Sequence, residues 1–391
     1  MTVKSITLGE LLEFKNGLNY LKSDSGVNVY SVGVRNFREQ QLKNVKSLER
    51  INLSQKPSSD YKLQKNDLLF VRSNGNKNLI GRMILVDELD EDVYYSGFII
   101  RGRIKSEQIS AAFLLYCEEL IKKQIRKVSG GTNINNLSQG ILNDVNIPLI
   151  PIKLQEKHAA FLLMLDNKIQ KQSEKIKLLE VQKKGLMQKI FKREIRFKDD
   201  EGKDFHEWKE TSFDDLFQSR NIKQIPTVDA PLMAFTSTGG VEEKGARFDR
   251  EFLVKNENKT YKRTEFNDLI YSSNNLDVGA IGRNKYGTAV ISDVYEIFKV
   301  KSTTVAEFAE CLIQQKNVLH EILKYRQGAL YGQYRIHAID FLSVIVKLPL
   351  IEEQKKIGAF SSKLDEKIQI EKEKVSTLRL QKQAFMQHMF I

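Results

Sequence analysis

A gapless internal repeat constrains the fold of this chain more than any other feature. Residues 155–191 (QEKHAAFLLMLDNKIQKQSEKIKLLEVQKKGLMQKIF) align with residues 354–390 (QKKIGAFSSKLDEKIQIEKEKVSTLRLQKQAFMQHMF) at a constant offset of 199, with 17 of 37 positions identical. Ala160/Ala359, Phe161/Phe360, Leu165/Leu364, Asp166/Asp365, Ile169/Ile368 and Met187/Met386 are among the identities. A duplicated segment of this kind fixes the architecture before any local pattern is read. Each copy predicts one long helix, because strong helix formers dominate and glycine appears only at Gly185 and Gly358. Pro148, Pro151 and Pro349 lie just upstream, where proline suits a helix entry.

Apolar residues then step by three and four along each copy. The first shows Leu162, Leu165, Ile169, Ile176, Leu179, Leu186 and Ile190; the second shows Leu364, Ile368, Val375, Leu378, Phe385 and Met389. That is a heptad seam, the mark of a helix packed along another helix. Polar residues interrupt it at the same two places, Gln172 and Lys183 in one copy, Glu371 and Lys382 in the other. If the helices pair antiparallel about a pseudo-twofold axis, Lys183 is expected to face Glu371 and Gln172 to face Lys382, since polar seam residues fix register.

A fainter repeat connects the flanking domains. Asn66-Asp67-Leu68-Leu69-Phe70 corresponds to Asn267-Asp268-Leu269-Ile270-Tyr271 at an offset of 201. At that offset Asn74 meets Asn275, and Ile80-Gly81-Arg82 meets Ile281-Gly282-Arg283. Between the anchors the residues differ, VRSNGNKNL against SSNNLDVGA. Both domains continue through apolar, strand-like stretches (VYYSGFIIRGRI and VYEIFKVKS) into helix-like ones (AAFLLYCEELIKKQI and EFAECLIQQKNVLHEILKYR). The predicted fold class is therefore α+β: two globular α/β domains separated by two long helices that form an antiparallel coiled-coil pair. The expected boundaries are 1–147 for the first domain and 148–198 for the central helix. The second domain is 199–348, fed by an acidic connector at 199–204, and 349–391 is the closing helix.

Charge narrows the class of partner. The formal net charge is +12, which favours a polyanion. It divides into +5 over residues 1–151, +8 over 152–198, −3 over 199–349 and +2 over 350–391. A slightly acidic second domain that binds DNA needs a local basic patch. Two cysteines, Cys117 and Cys311, sit in aliphatic stretches and read as buried thiols of a reducing, cytoplasmic protein. No signal peptide and no apolar run of membrane-spanning length is present in the sequence.

Catalytic signatures are missing. The six prolines include no Pro-Pro pair, so the Asn/Asp-Pro-Pro-aromatic run of N-methylating enzymes is absent, and no phosphate-binding Gly-rich loop ends in Lys-Ser/Thr. The five histidines are dispersed, without metal-ligand spacing to the cysteines. Polar loops stand out instead, placed alike in both halves. The first domain offers Arg72, Asn74, Lys77, Arg82, Thr132 and Asn133 as candidate DNA contacts. The second offers Ser272, Asn274, Asn275, Arg283, Lys285, Arg326, Tyr331, Gln333 and Arg335. Arg bidentate to guanine and Asn or Gln bidentate to adenine read base edges, whereas Lys, Ser and Thr suit phosphate. For Arg82 and Arg283, which follow a shared Ile-Gly, a structural role at a strand end stands equally open.

With these features in place, the chain resembles the specificity subunits of type I restriction–modification systems along essentially its whole length. The strongest part is LLEVQKKGLMQKIFKREIRFKDDEGKDFHEWKE (178–210), together with the helix entries at 148–156 and 349–354. The resemblance implies two target-recognition domains, each reading one half of a bipartite sequence in double-stranded DNA. It also implies helices that set the spacing and bind two modification subunits, which carry the adenine-methylating chemistry, with restriction and translocase subunits joining that core. S-adenosylmethionine, ATP and Mg would then belong to the partners, with no cofactor or metal on this chain. A 37-residue helix spans about 55 Å at ~1.5 Å per residue, roughly one and a half turns of B-DNA. Two other classes compete: a coiled-coil scaffold without a DNA role, and a fused restriction enzyme with a cryptic catalytic site.

Overall fold

The computed structural model describes residues 4–20, 25–38, 40–128, 136–236, 240–243, 259–272, 281–330 and 333–389. Two compact units emerge, one of residues 1–172 with 375–391 and one of residues 173–374. Both long helices form as the repeat predicts, Ile152–Phe191 and Ile351–His388. Each contributes residues to both units, so neither stands apart as a body of its own.

In the first unit, a five-stranded sheet runs in the order Leu12–Asn16, Ile99–Ile104, Leu68–Val71, Met83–Val86 and Gln41–Leu42. A three-stranded sheet of Glu49–Leu53, Val27–Val32 and Val93–Tyr95 lies beside it in the topology. The strand Lys4–Thr7 pairs antiparallel with Asn146–Leu149, which brings the start of the domain to its end. The second unit repeats the plan with a four-stranded sheet of Phe217–Ser219, Tyr295–Val300, Leu269–Ser272 and Ile281–Arg283. Its closing pair is Lys209–Ser212 with Ile345–Leu348.

Local chemistry explains why the two copies fold alike. After the first strand of each unit comes a one-turn helix with a reciprocal capping box, Thr7 with Glu10 and Ser212 with Asp215. Inside each turn a backbone N–H reaches across the domain, Leu8 N to Val145 O and Phe213 N to Val344 O, both at 2.8 Å. Asn66 and Asn267 hold φ near +70°, a left-handed conformation that asparagine tolerates, just before the central strand of each sheet. The strands that follow, Leu68–Val71 and Leu269–Ser272, are buried throughout. Continuous burial is expected where both faces of a strand are covered.

The helix-like stretch of each domain is broken into two. In the first unit Ala111–Tyr116 gives way to Glu118–Val128 at Cys117, and in the second Ala306–Ile313 gives way to Lys316–Leu323. Cys117 and Cys311 are both buried and free, and burial raises both thiol pKa values.

The repeated glutamine of the helix entries is a structural fastener. Gln155 is fully buried; its oxygen accepts from Ser110 N, and its nitrogen donates to Gln108 O and Ile150 O. Gln354 likewise accepts from Thr304 Oγ1 and Val305 N and donates to Pro349 O. In each amide both the oxygen and the nitrogen are engaged, as burial demands.

Within each unit the two helix segments run antiparallel, but in a register different from the expected one. Lys183 meets Asp365 at 2.5 Å, six residues earlier than Glu371. Lys382 meets Asp166 at 2.6 Å, six residues earlier than Gln172. Glu371 is instead answered by Lys175 at 2.9 Å and Lys374 at 3.2 Å. The two Lys–Asp pairs occupy equivalent positions of the repeat, so the pseudo-symmetry survives while the predicted partners do not. Burial of the helix ends sets the register. Phe385, Met386 and Met389 pack into the first core with Ala159 and Leu162, while Met187 and Ile190 share the second core with Ile357. Such apolar contacts outweigh partly exposed ion pairs. None of the expected seam residues is exposed: Leu165, Ile176, Ile368 and Val375 are buried, and Ile169, Leu179, Leu186, Leu364, Leu378 and Phe385 are half-buried.

Three tyrosines deepen the cores. Burial pushes the Tyr95 hydroxyl up to about 12 and raises Tyr116 and Tyr271 further. A raised folded-state pKa favours the folded form fully below the ordinary tyrosine pKa, and that advantage is lost as pH rises through the folded value. Stability is therefore expected to fall between about pH 10 and 12, with exposed tyrosines such as Tyr286 ionising first and the last part of the tyrosinate absorbance rising together with unfolding. Complete tyrosinate absorbance with the fold intact would contradict this assignment.

Candidate nucleic-acid interface

Three segments of the first unit converge at one end of its five-stranded sheet. They are the residues following strand Leu12–Asn16, the loop following strand Leu68–Val71, and the turn preceding strand Ile99–Ile104. Asp67 anchors the opposite end of the strand that leads to the middle one. Buried at 1% exposure, it accepts from Gln64 N at 2.8 Å and takes Arg103 bidentately at 2.8 and 2.7 Å. That carboxylate raises the pKa of Arg103. Asp268 does the same work in the second unit, accepting from Glu265 N, but its arginine is Arg220, which directly follows the strand Phe217–Ser219. The buried carboxylate is repeated; the arginine that neutralises it has moved.

Beyond Asp67, Arg72 binds back to the turn. Its backbone N donates to Phe98 O at 2.8 Å and its side chain to Gly97 O at 3.3 Å. Asn74 accepts from Asn76 N, and Asn76 accepts from Asn78 N, so two side-chain oxygens shape the helical turn Lys77–Leu79. Asn74 is thus a loop organiser, with its acceptor already committed to the backbone. Lys77 is exposed, Arg82 half-buried.

The second unit corrects the expected equivalence of Arg82 and Arg283. Strand pairing sets Ile281, Gly282 and Arg283 opposite Tyr271, Ile270 and Leu269. In the first unit the same places opposite Phe70, Leu69 and Leu68 belong to Met83, Ile84 and Leu85. The shared Ile-Gly-Arg is therefore a turn in one domain and a strand in the other, because the intervening loop of the second domain is three residues shorter. Arg283 is also 8% exposed and bound to Glu307 at 2.8 Å, Glu310 at 3.1 Å and Asn267 at 2.5 Å. Its guanidinium holds a strand to a helix. Ser272, at 4% exposure, belongs to the core face of its strand.

Of the remaining second-domain candidates, Lys285 is half-exposed and pairs with Glu310 at 3.0 Å. Arg335 is exposed and reaches Glu296 at 3.4 Å, and Arg326 is half-buried. Gln333 lies on the strand Gln333–Arg335. Thr132, Asn133, Asn274, Asn275 and Tyr331 lie outside the described residues. Asn284, which the sequence offers beside Lys285 as part of the same polar loop, is wholly buried and ties Tyr286 N, Gly287 N, Gly287 O and Thr264 together. Among the described residues no group of three or more His, Cys, Asp or Glu is placed to hold a metal ion. No helix among them is long and apolar enough to cross a membrane.

The architecture is a doubled α+β domain with a shared frame and divergent loop sequences, joined to repeated long helices. Residues 1–181 match the family described as "Type I restriction modification DNA specificity domain", and along nearly its whole length the chain is similar to specificity subunits of type I restriction–modification systems. It is 22% identical to the MjaX specificity subunit of Methanocaldococcus jannaschii, over 97% of this chain and 90% of that one. It is 25% identical to the StySPI specificity subunit of Salmonella potsdam, over 39% of this chain and 33% of that one. Its fold is similar to the crystal structure of the type I system S subunit from M. genitalium, with a TM-score of 0.60, 14% identity, and coverage of 99% and 96% of the two chains. A second solved chain, from work on complex assembly of the type I R-M system, gives a TM-score of 0.58 at 15% identity, covering 99% and 97%.

Proposed function

We propose that this chain is the non-catalytic reader of a bipartite sequence in double-stranded DNA, one half per domain, and that it directs adenine methylation and restriction carried by partner subunits. The observation that carries this reading is the pairing of a conserved internal frame with divergent loops. Asp67 and Asp268, Gln155 and Gln354, and the two capping boxes repeat, whereas the segments beyond the central strands differ in length and residues. Two partners of one kind also suit the helices. In the first unit Arg379, Lys382 and Met386 line a groove facing Lys123 and Arg126; in the second, the repeat-equivalent Glu180, Lys183 and Met187 line a groove facing Lys316. One modification subunit per groove gives the pseudo-symmetric assembly that the family resemblance implies. S-adenosylmethionine, ATP and Mg would be bound by those partners.

The test is equilibrium binding of the complex assembled with its modification subunits to duplex DNA across a salt series. Affinity for the target should fall steeply, linearly in log–log form, with unrelated duplex bound roughly 10³-fold or more weaker. Equal, salt-insensitive affinity for every duplex would favour a scaffold without a DNA role.

A further inference from the structure

Phe98 is a large aromatic side chain with 62% of its surface exposed, in a domain whose other phenylalanines serve the core. It does not sit on a loose loop. The turn that carries it is fixed on both sides: Phe98 O accepts from Arg72 N and Ser73 N, Gly97 N donates to Leu18 O at 2.7 Å, and Ile99 N donates to Ser96 O. Gly97 lies so close to the neighbouring segment that a Cβ there would stand 2.1 Å from Asn19 Oδ1. The exposed ring is therefore presented by hydrogen-bonded backbone beside the amide of Asn19 and the guanidinium of Arg72. The second unit keeps the position and changes the residue. Its corresponding turn, just before strand Tyr295–Val300, carries Val294, an aliphatic side chain that is 48% exposed.

We infer that Phe98 is a base-contacting residue of the first domain, an apolar probe that enters the groove of one half-site beside Arg72, and that Val294 is its counterpart in the second. The inference rests on the DNA-reading function proposed above. Desolvating an exposed ring against water alone brings nothing, but against a thymine methyl or a base face it removes apolar surface from water on both partners. The surrounding cationic and amide groups supply the polyanion contacts that bring the ring there. A ring in one domain and a branched aliphatic in the other is the difference expected of two readers of unlike sequence.

Binding of the assembled complex to its mapped target, and to every single-base variant of it, tests this with Phe98→Ala and Val294→Ala. Because Phe98 is exposed, its truncation should leave the melting temperature unchanged. Phe98→Ala should weaken target binding about tenfold and flatten the preference at one base pair of the first half-site only, the size of a single base contact. Val294→Ala should relax the other half alone. Phe98→Ala binding every variant as wild type does, or losing affinity equally for all sequences, would overturn the inference. If wild type itself shows no preference for its target over unrelated duplex, the DNA-reading function fails, and this inference with it.

Discussion

Phe341→Ala is expected to cost the second unit about 3–5 kcal/mol, the range for removing a fully buried aromatic side chain. Phe341 has no exposed surface and stands at the centre of a ring cluster. Phe298 lies 4.8 Å away, Phe213 and Tyr271 each 4.9 Å, and Phe217 5.9 Å, centroid to centroid. These rings come from three strands, the one-turn helix Phe213–Leu216 and the short helix Ala338–Leu342, so one truncation opens a cavity shared by all of them. Tyr271 cannot move in to fill it, since its hydroxyl donates to Ile336 O at 3.1 Å. Urea titration followed by tryptophan fluorescence reads the loss through Trp208, the chain's single tryptophan, which belongs to the same core. Phe341→Leu, which retains most of the volume, should lose far less. A cost below about 1 kcal/mol for the alanine variant would show that the cluster collapses around the gap.

The parts of the fold legible in the sequence were those where one residue type has one physical answer. Long runs of helix formers with a three-four apolar step form helices, and a repeated Asn-Asp before an apolar strand forms the same turn twice. Cys117 and Cys311 are buried because their neighbours are aliphatic. Where several partners satisfy the same chemistry, the sequence ran out. Lys183 is satisfied by Asp365 as well as by Glu371, and the choice falls to remote apolar contacts at the helix ends. Ile-Gly-Arg looked like one motif in two places, yet a three-residue change in loop length shifts it from turn to strand. Arg283 resembled a reader because its type suits guanine, but Glu307 and Glu310, on a helix many residues away, claim it. Phe98 was hidden for the opposite reason: in VYYSGFII it looks like one more core residue, and only the turn at Gly97 turns it outward.

The central claim is that recognition is modular, with one domain answering for each half of the target. Exchange of residues 1–147 for the corresponding domain of another specificity subunit tests it most directly, provided the helix entry is left intact. Gln155 must still find a backbone N–H and a carbonyl in the place of Ser110 and Gln108, and the new first strand must still pair with the retained Pro148 and Leu149. The readout is a genome-wide map of methylated adenines in cells making the exchanged chain with its modification partner. The account predicts a new sequence in one half of the methylated site and an unchanged sequence in the other. A site altered in both halves would contradict it.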